Sequence, residues 1–322
     1  MLSADAPQLS VVVPACNSSE TIGACLAALA SSEFRGFEVI VVDDGSDDKT
    51  AQVAERLGVR VVRHRINRGR SAARATGFRY ARGSVIVCVD SDIVVSTDAL
   101  GLISNHFTTT PDCTVISGLL SESHPVPNLT SQYLNLRLNY LYSHLPERIP
   151  FFYGGVFAFR RELEPYFTSR FEVCEDTDIG IRLAMGSTET VLVKKLLVSH
   201  LKKFDIFSFI DADFRMAMNW ARLFFVNRAW RYLFSSPPCL EQLFRYILPI
   251  GFLVFLSRKR TSRFAFRCVP LAFAQSLTIV MGGLVGIGAY ISNHLVVEVV
   301  RRYSSVAPVS GELVAVDKKD VC

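Results

Sequence analysis

The chain has 322 residues, half of them apolar, and a net charge of +5. That length allows one large α/β domain or two smaller ones, and that apolar fraction excludes a disordered or fibrous protein. The excess charge is mild and the basic residues of Arg60–Arg82 are interleaved with apolar ones, so nucleic-acid binding is not indicated.

The opening MLSADAPQLSVVVP has no basic n-region and only a short apolar run, so it does not read as a secretory signal, and the first part of the chain is expected in the cytoplasm. Residues 9–14 (LSVVVP) and 37–44 (FEVIVVDD) are β-branched runs that end at turns, with an Ala/Leu-rich helical pattern over Glu20–Ser31 between them. This is the β-α-β signature of a parallel sheet. A helix over Thr50–Leu57, a strand at Val59–Arg63, a helix over Ser71–Arg82 and a strand at Ser84–Asp90 follow. Beyond residue 96 the pattern loosens to a helix at Thr97–Phe107 and a strand at Thr114–Leu120, and the proline-bearing stretch 124–150 carries no predicted element. The cysteines, Cys16, Cys25, Cys88, Cys113, Cys174, Cys239, Cys268 and Cys322, form no C-x-x-C pair, as expected of reduced, buried thiols.

After His200 an aromatic-rich amphipathic stretch, KKFDIFSFIDADFRMAMNWARLFF, predicts one or two helices lying along a bilayer face. Tyr246–Ser257 (YILPIGFLVFLS) is too short to span and reads as an interfacial or re-entrant helix beside Arg258, Lys259, Arg260, Arg263 and Arg267. From Cys268 to Val297 there is no charged residue, enough for the ~20 residues a bilayer needs, although a buried core helix would read the same way. Gly282, Gly283, Gly286 and Gly288 suit close helix packing.

In an open parallel sheet, ligands collect at the carboxyl ends of the strands. Those ends carry Pro14-Ala15-Cys16-Asn17, Asp43-Asp44, Asn67-Arg68-Gly69 and Asp90-Ser91-Asp92. No G-x-G-x-x-G turn follows the first strand and no G-x-x-x-x-G-K-[ST] loop occurs, so a bound nucleotide would need another counter-charge for its diphosphate. Asp90 and Asp92, at i and i+2 of a strand end, project to one side, where a divalent ion held by carboxylates could bridge to diphosphate oxygens. A bare D-x-D is more often a pair of solvated loop acids or helix caps.

VVVPACN, EVIVVDDGSDDKT, NRGRSAARATG, VIVCVDSD and CEDTDIGIRL, in this order and spacing, resemble the family 2 glycosyltransferases. The resemblance covers about residues 9–205 and implies a GT-A fold, α/β with a mostly parallel sheet flanked by helices. Family members read P-x-Y-N-E, D-D-G-S-x-D, N-x-G-x-x-x-A-R-N, D-x-D and E-D. Here Cys16 replaces the aromatic, Ser18 the acid (with Glu20 two positions on), and Ala75 the last asparagine.

The resemblance implies that Asp43 bonds the base of the nucleotide, with Asp44 and Pro14 to Asn17 shaping the same pocket. Asp44, Ser46 and Asp47 are equally readable as caps of the next helix. Asn67, Gly69 and Arg74 would line the donor, with Arg70 as plausible as Arg74 for a cation near the diphosphate. Asp92 would ligate Mg2+ or Mn2+, Asp90 would contact ribose or metal, and His200 would add a metal or diphosphate contact. Gly154 and Gly155 would lie under sugar and acceptor. Glu175 and Asp176 would stand on the acceptor side with Asp176 as base, although acids there also suit a helix amino terminus. The nearest approach to the Q-x-x-R-W of polymerising members is DFRMAMNW, where Arg215 and Trp220 stand at the wrong spacing, so a non-processive enzyme is expected.

These readings lay the chain out as a catalytic domain (1–205), interfacial helices (206–257), a basic linker with a transmembrane helix (258–297) and a polar tail (298–322). The expected activity is inverting transfer of a sugar from a UDP- or GDP-type donor to a lipid-linked or membrane-proximal acceptor, on the cytoplasmic face of a membrane. A sugar-nucleotide-modifying enzyme or nucleotidyltransferase on a similar fold, or a non-catalytic nucleotide-binding scaffold, stays open as an alternative.

Overall fold

The structure, a computed structural model, describes residues 7–168, 174–226 and 249–304. Its first part comprises β1 (Leu9–Ala15), α1 (Ile22–Ala30), β2 (Phe37–Asp44), α2 (Thr50–Arg56), β3 (Arg60–His64), α3 (Arg70–Tyr80) and β4 (Val85–Val89). These strands pair in the order β3-β2-β1-β4, all parallel. β1 and β4 are buried on both faces, which is why they read as unbroken apolar runs. β3 lies at the edge and exposes Arg60 and Arg63.

The second part comprises β5 (Ile93–Val95), α4 (Ala99–Thr109), β6 (Val115–Leu120), α5 (Leu129–Ser143), β7 (Arg148–Ile149), β8 (Val156–Arg160), α6 (Glu175–Met185) and β9 (Thr190–His200). The sheet continues β4-β8-β6-β9-β5, with β7 also on β9. Here β6 and β9 are parallel, whereas β8 runs antiparallel to β4 and β6, as β5 and β7 do to β9. The sheet is therefore mixed. Once the regular helix after each strand is lost, so is the crossover that parallel pairing requires.

Alternate residues of the strands feed two cores. Leu9, Val11 and Val13, with Val85, Val87 and Val89, pack on Ile22 and Leu29 of α1 and Leu100 and Phe107 of α4. On the other face Val12, Ile86 and Cys88 meet Phe78 of α3, Ile179 and Leu183 of α6, and Phe157 and Phe159 of β8. Cys16, Cys25, Cys88, Cys113, Cys174 and Cys268 are free thiols. Cys239 and Cys322 lie outside the described residues.

α5 fills the stretch that carried no predicted element. Asn128 caps it by accepting from the Ser131 N–H at 2.7 Å. Asn135 and Asn139 are buried and donate to the Ser121 and Leu120 carbonyls at 2.8 and 2.7 Å. Tyr133, Leu136 and Tyr140 join Phe209 of α7 (Ile206–Val226), Phe252 and Leu256 of α8 (Ile250–Lys259) and Leu271 of α9 (Ser262–Ser304) in a third core. A helix buried on both sides shows no single apolar stripe to read.

The amphipathic stretch after His200 forms one helix, α7, as far as Val226. α8 begins after Pro249, and the first residues expected in that element, 246–248, lie outside the described part. Within α9, Ser262–Ser292 is long and apolar enough to cross a membrane by length and composition, its most apolar 18 residues having a mean hydropathy of 1.8. α9 continues to Ser304, so residues 298–304, expected in the polar tail, are helical, and 305–322 lie outside the described residues. α9 rests on α7 through Gly282 and Gly286, where a Cβ would come within 2.6 Å of the Phe214 carbonyl and 2.3 Å of the Met218 carbonyl. Gly283 and Gly288 make no such contact among the described residues.

Gly180 places α6 against the chain leading into β8, since a Cβ there would stand 2.4 Å from Phe151 Cα and 2.8 Å from the Pro150 carbonyl. Both neighbours are backbone, so Gly180→Ala should destabilise the fold by about 1–3 kcal/mol despite the better helix propensity of alanine. Gly101 in α4 meets nothing within 4 Å among the described residues, so Gly101→Ala should stabilise by about 0.5–1 kcal/mol. Chemical denaturation of the pair checks this. Equal effects of one sign would refute the packing.

Candidate active site

The loops at the carboxyl ends of β1 and β2 hold each other. Asn17 N–H donates to Ser46 Oγ at 2.9 Å and Asn17 Oδ1 accepts from the Asp47 N–H at 2.9 Å, with Asn17 itself at φ 48°. Ser18 and Ser19 N–H groups donate to Thr50 Oγ1 at 2.7 Å and Asp48 Oδ2 at 3.0 Å. Asp48 Oδ1 also accepts from the Thr50 N–H at 2.9 Å, so Asp48, rather than Asp44, Ser46 or Asp47, closes the turn ahead of α2. Gly45, at φ 69°, lets this loop abut the next: a Cβ would lie 2.5 Å from Asn67 N and from the Ile66 carbonyl carbon.

Asp43 is buried and accepts from the Ser46 N–H at 3.3 Å. Asp44 is held harder. His64 Nδ1 lies 2.6 Å from its Oδ1, which also accepts from the Arg68 N–H at 3.0 Å, and His64 Nε2 lies 3.0 Å from Thr76 Oγ1. His64 thus sets the carboxylate that orders the Asn67–Gly69 turn. The sequence reading ended this strand at Arg63 and missed it; a histidine at a strand's carboxyl end was the available signal.

Arg74 is 3% exposed and ties three elements together. Its Nη1 donates to Glu175 Oε1 at 2.7 Å, and its Nη2 to Asp90 Oδ1 at 2.8 Å and the Gly154 carbonyl at 2.7 Å. Arg70, half exposed, stands 3.5 Å from Glu175 and 3.8 Å from Asp90. Of the two cations, Arg70 therefore faces the open cleft and Arg74 stands behind it.

β4 ends at Val89, and Asp90–Ile93 is a turn closed by the Ile93 N–H on the Asp90 carbonyl at 3.0 Å. The strand alternation expected for Asp90 and Asp92 does not apply across a turn. Asp90 pairs with Arg74, while Asp92 Oδ2 lies 3.2 Å from His200 Nε2. Burial works against the charge of Asp92, yet the hydrogen bond and charge of His200, with Lys202 nearby, hold its carboxyl below the usual range.

α6 starts at Glu175 behind Cys174, whose φ of 67° puts a non-glycine residue in the left-handed region beside the two acids. Asp176 Oδ2 accepts from the Gly154 N–H at 3.2 Å, and a Cβ on Gly154 would stand 2.9 Å from that oxygen. The close approach made possible by Gly154 is thus to Asp176. Burial, then the adjacent Glu175 charge, push the Asp176 carboxyl up to about 6, against the pull of Arg74 and Arg70.

One cleft of about 1540 Å³ gathers Pro14, Asp44, Asn67, Gly69, Arg70, Asp90, Asp92, Gly154, Gly155, Glu175, Asp176 and His200. Asn17, Asp43 and Arg74 do not line it and support the residues that do. Beyond Lys202 the cleft continues between α7 and α9. Among the described residues no three His, Cys, Asp or Glu side chains converge as a ready metal cage.

Residues 10–167 match the family described as Glycosyl transferase family 2. EpsJ, an uncharacterized glycosyltransferase of Bacillus subtilis (strain 168), is 37% identical over 95 residues, 28% of this chain and 28% of that protein. A dolichol-phosphate mannosyltransferase of Mycosarcoma maydis is 33% identical over 99 residues, 27% of this chain and 34% of its own length. The chain thus spans about a third or less of these curated relatives. The mannosyltransferase PcManGT from Pyrobaculum calidifontis, solved with GDP-Man and Mn2+, aligns with a TM-score of 0.61 over 87% of each chain at 19% identity, a likeness of fold. The fold is GT-A-like, and residues 10–167 are a glycosyl transferase family 2 domain.

Proposed function

We propose that the chain transfers a sugar, with inversion, from a nucleoside diphosphate sugar of UDP or GDP type to a lipid-linked or membrane-proximal acceptor. The observation that carries this is the single cleft joining Asp92–His200, Arg70–Asp90 and Glu175–Asp176 and running on between α7 and α9. Its volume exceeds the ~300–1,000 Å³ of a one-ligand pocket, as two substrates require. The relatives solved with GDP-Man and Mn2+ and named for dolichol phosphate support the donor and acceptor classes.

Asp92 and His200 would hold a Mg2+ or Mn2+ ion. The carboxylate oxygen suits either metal, the imidazole nitrogen suits Mn2+ better than the harder Mg2+, and a site with two protein donors leaves positions for water and diphosphate oxygens. When bound, the ion would supply charge for the leaving diphosphate. Arg70, 3.8 Å from Asp90 and 3.5 Å from Glu175, adds a cation between the two halves of the cleft. Asp90, held by Arg74, faces the ribose. Asp176 takes the proton of a hydroxyl acceptor; toward an acceptor phosphate, already ionised, it positions instead. In this reading residues 1–205 are catalytic, 206–257 interfacial and 258–297 the anchor, with Arg258 to Arg267 against anionic headgroups on the cytoplasmic face.

A thermal-shift screen of UDP-, GDP- and dTDP-sugars with Mn2+ should identify one donor class that stabilises the protein. Asp92→Asn should remove most of the metal-dependent part of that shift while sparing binding in EDTA, and EDTA should abolish turnover. Full activity in chelator would refute the metal role of Asp92. Binding without any transfer or donor hydrolysis would favour a scaffold.

Asp176→Asn is nearly isosteric, so donor affinity should hold while turnover on a hydroxyl acceptor falls by roughly 10²–10⁴-fold. Since Asp176 must be ionised to act as base, kcat/KM should rise with pH through about 6 and level off above, and the variant should lose that limb. The raised carboxyl favours the fold only while protonated, so its stabilising contribution disappears as pH climbs through the same value. A donor-binding loss as severe as that of Asp92→Asn would refute this division of the cleft.

A further inference from the structure

We propose that the apolar limb of the cleft, between α7 and α9, is the subsite for the acceptor's hydrocarbon chain, and that Gly283 is the residue whose missing side chain keeps it open. This rests on the reading of the acceptor as lipid-linked and names the part of the cleft that would recognise it.

The cleft-lining positions of α7 change character along the helix. Ser208, Asp211 and Arg215 come first, then Met216, Trp220 and Phe225. Cys174 Sγ lies 3.7 Å from the Met216 carbonyl, so the change falls where α7 passes the start of α6 and its two acids. α9 runs alongside in the same direction: Gly282 meets Ala217, Gly286 meets Ala221, and the rings of Tyr290 and Phe225 stack at 4.9 Å. The residues of α9 that line the cleft, Ile279, Val280, Gly283, Leu284 and Ile287, form a wholly apolar stripe at helical spacing. From Met216 to Phe225, at 1.5 Å per residue, the limb extends ~14 Å beyond the acids.

Val280 and Leu284 remain 43% and 59% exposed in a cleft that also holds the catalytic acids, an arrangement suited to an apolar ligand rather than to water. The glycines divide the work. Gly282 and Gly286 bring the helices into contact, whereas a Cβ on Gly283 would find no atom of the described residues within 4 Å, and since Gly283 lines the cleft, a side chain there would start into the limb. Gly288 meets equally empty space but does not line the cleft, which makes it the matched control. α9 is also the helix apolar enough to cross a membrane, so the limb would open where a lipid acceptor arrives.

The test uses the full chain in detergent micelles, the donor found by thermal shift, and two polyprenyl phosphates that differ only in length, one of two isoprene units and one long. Wild type should prefer the long acceptor in kcat/KM. Gly283→Phe should cut that long-over-short preference by about tenfold or more, and so should Leu284→Asn, which puts a polar group into the limb through an exposed position. Gly288→Phe should keep it. A preference retained in both limb variants, or lost equally in Gly288→Phe, overturns the subsite. Wild-type donor hydrolysis without transfer to either phosphate overturns the acceptor class itself, a separate failure.

Discussion

The site depends on one buried guanidinium. Taking Arg74 out of water costs several kcal/mol unless nearly every charge around it is matched, and Asp90, Glu175 and the Gly154 carbonyl provide the match at 2.7–2.8 Å. Those acceptors come from the end of β4, the start of α6 and the turn before β8, so one side chain from α3 fixes the relative positions of all three. A lysine could not do this, because a point charge lacks the planar fork that reaches two carboxylates and a carbonyl at once. Two carboxylates around one cation leave a net negative charge, which Arg70 only partly offsets from 3.5 Å or more. That residue of negative charge bears directly on Asp176, next in sequence to Glu175.

Where Arg74 fixes directions, glycines fix distances. Gly45 lets the β2 loop touch the backbone of residues 66 and 67, Gly154 lets Asp176 approach the turn that Arg74 holds, and Gly180 seats α6 on residues 150 and 151. At each point the contact is to backbone or to a fixed carboxylate, so a methyl group could be admitted only by moving a wall of the cleft. The same device sets the α7–α9 spacing at Gly282 and Gly286.

The parts legible in the sequence are those where one local rule suffices. β1, β2 and β4 are apolar runs that end in polar turns, and residues of the loops after them line one cleft. What the sequence hid was set by tertiary contact. α5 is buried on both sides, so Asn135, Arg137 and Asn139 interrupt any stripe although they are core residues. The turn at Asp90–Ile93 gives its two acids different partners, where a strand would have kept them together. Arg74 and Arg70 are four residues apart in one motif, and only the position of Glu175, a hundred residues away, decides which is buried. His64 acts through Asp44, a link that no spacing in the sequence expresses.

The charge around Asp176 also ties its role to the acceptor. A hydroxyl brings no charge, and a carboxyl raised to about 6 is ionised near neutrality yet basic enough to accept a proton. A phosphate brings a second anion to a place where Glu175 already opposes ionisation, and that raises Asp176 further, toward a protonated carboxyl that donates a hydrogen bond to the phosphate oxygen. On the proposed reading the same side chain is a base for one acceptor class and a neutral donor for the other, without any rearrangement of the protein. The negative charge that opposes ionisation of Asp176 in both cases is that of Glu175, which Arg74 holds in place at 2.7 Å.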